Sequence, residues 1–495
     1  MSVTALSVPA FALPPAAPTA PVAPPEAVPV APAPEAPLAP TVLPAAAAPT
    51  VLPVTPAVGA EEPGPVVSGS LPELSSNAAP NASADEEPAA DEDWYDAFDV
   101  RLFADAYFSW NYNAPKSSVG QALTNGNDVI RAFDSANGFS LASAGLDISH
   151  AAEPIGGMLS LRFGPAARRY NSSCAGTCDA AYGLENVKQA YASWRPGGDG
   201  TQVTIDFGKF DTIYGAEVAD SQDNINYTRG VLYWLGQPAF HTGLRVNAEL
   251  TPNLTLRGLA VNGWNNSVDN NTGKTFGVQV TAHVPRTEGH DWIGASLGYL
   301  GGPEQSDVAQ VTCTAAGQVF DATSPTGCST AVVNGPTDTT GTVDRPTNNS
   351  KGWRHFVDLV VTSDPTDELH LVLNADLGVE PRRDAVLSTH FSSHSWLGGM
   401  FGARYLVTPK FALAGRGELY HDRDGITTGS VNNIPINQVT ISTGTLTIDF
   451  LPSKNLLVRL DNRLDHSTRE IFPKGLHALS GSQFTTTLGV VVTTN

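Results

Sequence analysis

Beyond about residue 100 the chain alternates apolar and polar positions with a period of two, in segments of about ten residues. In 482–493, Phe484, Thr486, Leu488, Val490 and Val492 share one face, and Gln483, Thr485, Thr487 and Gly489 share the other. Leu369, Leu371, Leu373, Ala375 and Leu377 face away from His370, Asn374 and Asp376. Phe276, Val278, Val280 and Ala282 oppose Thr275, Gln279, Thr281 and His283. The same rhythm predicts sixteen strands: 100–112, 139–150, 155–164, 187–195, 201–208, 238–249, 253–262, 274–284, 291–300, 351–362, 368–379, 394–407, 410–421, 435–451, 454–465 and 482–493.

The connections sort into two alternating classes. Seven are tight, among them Glu153-Pro154, Pro196–Gly200, Thr251–Asn253, Thr408-Pro409 and Pro452-Ser453, where Pro, Gly, Asn and Asp supply turn dihedrals. Eight are long, including 165–186, 209–237 and 301–350. A soluble β-sandwich would not sort its turns in this way. A transmembrane antiparallel up-and-down β-barrel would, because lipid supplies no hydrogen bonds and the sheet must close on itself. An even strand count puts both termini on the tight-turn side, which in bacterial outer-membrane barrels is periplasmic, and leaves the long loops extracellular. No run of eighteen apolar residues occurs, which excludes helical membrane spans.

Assigning the more apolar parity to lipid turns eighteen charges inward: Arg101, Asp105, Asp147, Arg162, Asp206, Arg245, Glu249, Arg257, Asp358, Asp376, Arg404, Arg416, Glu418, Asp449, Arg459, Asp461, Arg463 and Asp465. A dry core could not hold them unpaired, so the interior is predicted to be wet or filled by a polar plug. At sixteen strands an aqueous channel remains where eight would be filled by side chains. The inward residues are therefore pore-lining candidates, and the ring they form acts on permeating ions. Each of them alone also reads as a wall ion pair. Trp110, Tyr112, Trp194, Tyr299 and Tyr405 at strand ends fit an interfacial girdle.

Several stretches resemble the OmpL-like β-barrel porin family of bacterial outer membranes. They are Arg131–Asp134 (RAFD), Asn137–Asp147 (NGFSLASAGLD), Gln189–Tyr191 (QAY), Gly208–Glu217 (GKFDTIYGAE), Asn226–Gly230 (NYTRG), Pro238–Gly243 (PAFHTG) and Val261–Trp264 (VNGW). The resemblance spans roughly 95–285 by motif and the remainder by pattern. It implies an outer-membrane, porin-like channel. The terminal Val491–Asn495 lacks the closing aromatic of many such barrels, and the Pro-rich arm is outside the family pattern.

The 209–237 connection carries Lys209, Asp211, Glu217, Asp220, Asp223 and Arg229 with Tyr214, Tyr227 and Trp234. It reads either as a loop folded into the lumen, constricting the channel, or as a surface loop. Gly294–Gly298 (GASLG) matches the nucleophile-elbow spacing but falls inside a strand, which leaves Ser296 with His241 or His283 as a hydrolase alternative. Asp422–Gly425 and Asp269–Gly273 contain fragments of calcium-loop spacing without the later acidic ligand. No metal site or cofactor is expected.

Composition adds an arm and a compartment. Residues 1–95 read as a disordered Pro/Ala-rich acidic periplasmic arm, and 96–495 as the barrel. The first ninety residues hold 21 of the 38 prolines, and the first hundred hold thirteen acids and no Lys or Arg. The arm reads as a plain linker or as a cell-wall contact. The start at Met1 lacks a positive n-region and does not read as a signal peptide. The net charge of −21 argues against nucleic acid as a partner. Cys174, Cys178, Cys313 and Cys328 lie as two pairs in long polar loops and are disulfide candidates, which suits an oxidising compartment. Cys174 and Cys178 read as a loop staple or half of a zinc site, although no His lies in that loop. The predicted partners are outer-membrane lipid, lipopolysaccharide and small hydrophilic solutes, with a homotrimer as the porin-type assembly. The expected function is passive diffusion of such solutes. The alternatives are a non-conducting structural or adhesive barrel and an outer-membrane hydrolase.

Overall fold

In a computed structural model, sixteen antiparallel strands form one closed barrel. Residues 1–96, 117–129, 132–136, 173–182, 198–201, 288, 307, 313–318, 321–327, 330–341, 347–351, 384–389, 432–433, 477 and 495 fall outside the described residues. In chain order the strands are β1 (Asp99–Asn111), β2 (Gly138–His150), β3 (Ile155–Phe163), β4 (Val187–Trp194), β5 (Val203–Asp211), β6 (Phe240–Thr251), β7 (Leu254–Val261) and β8 (Thr275–Thr287). They continue as β9 (His290–Pro303), β10 (Trp353–Ser363), β11 (Leu369–Arg383), β12 (Phe391–Thr408), β13 (Phe411–Asp422), β14 (Val439–Ser453), β15 (Leu456–Ser467) and β16 (Ser482–Thr493). Each strand pairs with its sequence neighbours, and β1 closes on β16 from Phe103↔Thr493 to Asn111↔Thr485.

Alternation places the side chains. On β14, Thr443, Thr445, Thr447 and Asp449 are buried, whereas Leu446 and Ile448 between them are exposed. On β16, Gln483, Thr485 and Thr487 are buried while Phe484, Leu488 and Val492 are exposed. An exposed apolar row on every strand is what lipid contact requires, since each buried CH2 there stabilises by about 0.8 kcal/mol. Trp110, Tyr112, Trp194, Tyr299 and Tyr405 are all exposed on this outer surface, as an interfacial girdle would be.

Several strand limits differ from the sequence reading, by up to four residues. Strand β5 continues to Asp211, so Lys209 and Asp211 stand on the wall and not in the following loop. Strands β11 and β12 run on to Arg383 and from Phe391, leaving 384–390 as a shorter connection than expected. The ladder there reaches Arg383↔Phe391, because paired strands satisfy their backbone groups wherever a partner persists. The connection 304–352 carries its own antiparallel pairs, Val308–Thr312 with Thr342–Pro346 and Val319–Phe320 with Cys328–Ser329. Cys174, Cys178 and Cys313 lie outside the described residues, as does the side chain of Cys328.

Candidate functional site: a loop seated in the barrel

The chain leaves β5 at Thr212 and enters β6 at Phe240. Between them it turns into the lumen. Gly215 makes the turn with φ of 84°, a conformation that favours glycine, and the Gln237 carboxamide occupies the space a Cβ would need. A short 3-10 turn (Ser221–Asp223) and a π-helical turn (Leu232–Gly236) follow.

Polar groups tie the loop to strands on every side. The Ala216 N–H donates to Asn374 Oδ1 at 3.0 Å, and the Tyr214 hydroxyl donates to the carbonyl of Tyr299 at 2.9 Å. Gln279 Nε2 donates to the Ile213 carbonyl. Across the barrel, Asp220 accepts from Arg162 Nη2 at 2.9 Å and from Lys188 Nζ at 2.6 Å. The Tyr227 hydroxyl donates to Asp105 Oδ1 at 2.7 Å, and Ser221 donates to the other oxygen of the same carboxylate. Asp461 accepts from the Thr228 N–H at 2.8 Å. Arg459 and Arg463 donate to the carbonyls of Ser221 and Arg229. Glu217 pairs with Arg416, and its second oxygen takes the Gly230 N–H at 2.8 Å. Trp396 Nε1 donates to the Gly236 carbonyl at 2.9 Å. Bonds on so many sides offset the conformational entropy lost in holding the loop in one conformation.

An apolar contact runs beside the polar one. Ile213, Tyr214, Ile225, Val231, Leu232 and Leu235 of the loop form one buried cluster with wall residues including Leu259, Phe356, Val372, Trp396, Met400 and Tyr420. Glycines in the wall provide the seats. A Cβ at Gly298 would meet the Tyr214 ring, one at Gly489 the Tyr227 ring, one at Gly398 the Leu232 side chain and one at Gly402 the Ile225 side chain.

The loop carboxylates respond to these surroundings. Burial alone would raise Asp220, but the charges of Lys188 and Arg162 hold it well below the ordinary carboxylate range. Glu217 moves the other way: burial raises it, and nearby Glu418 adds to the rise against the pull of Arg416. Burial also raises Asp223, with Asp220 adding to it.

The predicted inward residues fall as follows. Asp105, Asp147, Arg162, Asp206, Arg245, Arg257, Asp358, Asp376, Arg416, Glu418, Asp449, Arg459, Asp461, Arg463 and Asp465 are buried on the inner face. Arg101 and Arg404 are half-buried there, paired with Asp147 and Asp449. Glu249 is exposed beside the short turn at Thr251. Many of the buried groups are paired: Arg162 with Asp147 at 2.7 Å, Arg245 with Asp206 at 2.8 Å, Arg459 with Asp449 at 2.9 Å and Arg463 with Asp465 at 2.7 Å. Of the loop set, Glu217, Asp220, Asp223 and Arg229 lie in the lumen-facing loop, with Arg229 over the Tyr170 ring at 5.1 Å. Lys209 sits against the Phe240 ring at 4.1 Å.

Sequence parity missed the apolar arc, because assigning the greasier face to lipid hides inward Phe356, Val372, Trp396 and Met400. Inward glycines two or four positions apart, such as Gly398 and Gly402, were the available signal.

A family model described as "Putative beta-barrel porin-2, OmpL-like" matches residues 97–493. The chain belongs to this family. It is a porin-like channel of the outer membrane. Comparison with curated proteins gives no match. Among solved structures, the outer-membrane channel DcaP of Acinetobacter baumannii is similar at 13% identity and a TM-score of 0.46, over 80% of this chain and 96% of that one. The anion-selective porin from Comamonas acidovorans is similar at 12% identity and a TM-score of 0.45, over 80% and 99%. OmpT of Vibrio cholerae is similar at 10% identity and a TM-score of 0.45, over 80% and 97%.

In this OmpL-like porin the remaining sequence motifs are accounted for locally. Ser296 lies within β9, away from any strand–helix corner. His241 bonds Thr212 and the Gly263 carbonyl, and His283 bonds Asp291 and the Pro252 carbonyl. The Asp422 carboxylate is saturated by N–H groups from Gly425 to Thr428, and Asp269 is paired with Lys274.

Proposed function

We propose that the barrel carries small hydrophilic solutes or ions by passive diffusion, and that the 212–239 loop is the constriction that sets what passes. The observation carrying this reading is the pair of grips on opposite sides of the lumen: Asp220 on Arg162 and Lys188, and Glu217 on Arg416. A charged segment that narrows a channel exerts a strong field on an ion passing it. The inward residues around it, most of them buried against the loop or one another, form the charged wall of the path, with Arg and Asp/Glu close to balanced. Turnover plays no part in this reading, and the wall positions serve permeation.

Planar-bilayer conductance of the refolded chain, compared with a variant lacking residues 216–228, tests it. The variant should conduct in larger steps. Equal steps refute the constriction, and silence from both proteins favours a non-conducting structural barrel.

The orientation belongs to the same proposal. The termini and short turns face the periplasm and the long loops face outward, with residues 1–95 forming a periplasmic arm. Thiol labelling of intact cells at single cysteines placed in 262–274 and at 409–410 checks this. Only the first should react from outside.

A further inference from the structure

Most inward carboxylates have a guanidinium beside them. Asp147, Asp206, Glu380, Glu418, Asp449 and Asp465 all have an arginine nitrogen within 3.2 Å. Among the described residues Asp105 and Asp461 have none, but hydroxyl and N–H donors fill them. Asp358 and Asp376 differ from both groups. They are register partners across β10 and β11, are 0% and 1% exposed, and lie within hydrogen-bonding reach of one another. Asn374 Nδ2 donates to one oxygen of each, at 2.8 and 3.1 Å, and the Gly215 N–H lies near Asp358. The Oδ2 atoms of both carboxylates have no hydrogen-bond partner. Among the described residues neither forms an ion pair with a basic side chain. Two carboxylates in contact, removed from water, repel unless a positive charge joins them.

A second buried group without a partner lies on the loop segment that packs against the pair. Gln237 is 3% exposed, and both its Oε1 and its Nε2 lack partners. Its carboxamide rests on Gly215, the residue whose N–H lies near Asp358. The preceding Gly236 lies against Asp376, where a Cβ would stand 3.5 Å from Oδ2. By way of Gly215 and Gly236 the loop brings a buried amide into the neighbourhood of the two carboxylates, and all three side chains have oxygen lone pairs to offer.

We propose that Asp358, Asp376 and Gln237 bind one divalent cation of the calcium type, seated between the barrel wall and the loop. Two carboxylates without a basic partner match a charge of +2. The donors are all oxygen, which suits a hard cation. Calcium accepts irregular geometry from carboxylate and amide oxygens, whereas magnesium holds its waters and demands a near-ideal octahedron. The cation ties Gln237 of the loop to two wall strands, so the loop's seat depends on it.

The test uses the full chain, refolded in detergent without lipopolysaccharide and stripped with EDTA. Titration with CaCl2, and separately with MgCl2, is followed by calorimetry and by thermal unfolding. Saturable calcium binding that raises Tm, with little response to magnesium, is expected. It should be lost in Asp376→Asn and in Asp358→Asn, and kept in Asp269→Asn, which alters a carboxylate in another loop. Gln237→Leu should weaken binding while leaving the charges intact, and serves if either Asn variant fails to fold. Absence of saturable binding overturns the proposal, as does equal binding by Asp376→Asn. So does a Tm that follows pH and ignores calcium, because the two carboxyls would then share a proton. Conductance is a separate readout, so a chain that conducts and ignores calcium sinks this inference alone.

Discussion

The ring of Tyr227 lies against Gly489, so that any Cβ at that wall position would collide with its Cδ2–Cε2 edge. The same tyrosine donates its hydroxyl to Asp105 on the adjoining strand. One loop residue is thereby fixed by a polar bond and by a missing side chain. Gly489→Val should push Tyr227 out of its seat at a cost of about 1–3 kcal/mol, typical of overpacking. Larger or noisier single-channel currents from this variant, with the barrel still folded by circular dichroism, would bear this out. Unchanged currents would count against the seat.

Arg416 and Glu217 form an ion pair whose side chains are 0% and 5% exposed. Removing one partner leaves a buried charge, so Arg416→Ala should destabilise by about 3–5 kcal/mol. Replacing both, as Arg416→Met with Glu217→Gln, should recover most of that loss. Urea unfolding from lipid vesicles measures both, and equal stability of the single and double variants would contradict the pairing.

Acid should loosen the loop. Asp220 titrates below its ordinary value, so its stabilisation is present above about pH 3.9, the unfolded carboxylate value. It is lost as pH falls through the lower folded value. Glu217 is raised, so its contribution is present below its unfolded value and lost as pH rises. Conductance and Trp234 fluorescence followed downward from pH 5 should show a transition that Asp220→Asn removes. Glu217→Gln should flatten only the upper side. A transition surviving in Asp220→Asn would assign it elsewhere.

Leu446 is 71% exposed between buried Thr445 and Thr447. If that face meets lipid, Leu446→Arg should cost about 2–4 kcal/mol in a bilayer, measured by unfolding from vesicles. The penalty should shrink in detergent micelles, whose surface adapts to a charge. Equal penalties in both would argue against lipid on this face.

Much of this was legible in the chain. Period-two alternation fixed which side chains turn outward on 482–493 and 274–284, and turn chemistry fixed where strands reverse, because both act over a few residues. The inward charges were legible for the same reason, down to Arg459, Asp461, Arg463 and Asp465 along one strand. Glu249 escaped the rule because it lies at a rim, where alternation no longer decides exposure.

The loop's position was not written in any local signal. Glu217 and Arg416 stand 199 residues apart, and Tyr227 and Asp105 stand 122 apart. Nothing near Gly489 or Gly402 says which ring or side chain will rest there. Local sterics and hydration determined strands, faces and closure. Only the assembled cylinder could decide where the loop lies, which charges meet and where the two lone carboxylates are left, because those depend on contacts between segments brought together by closure.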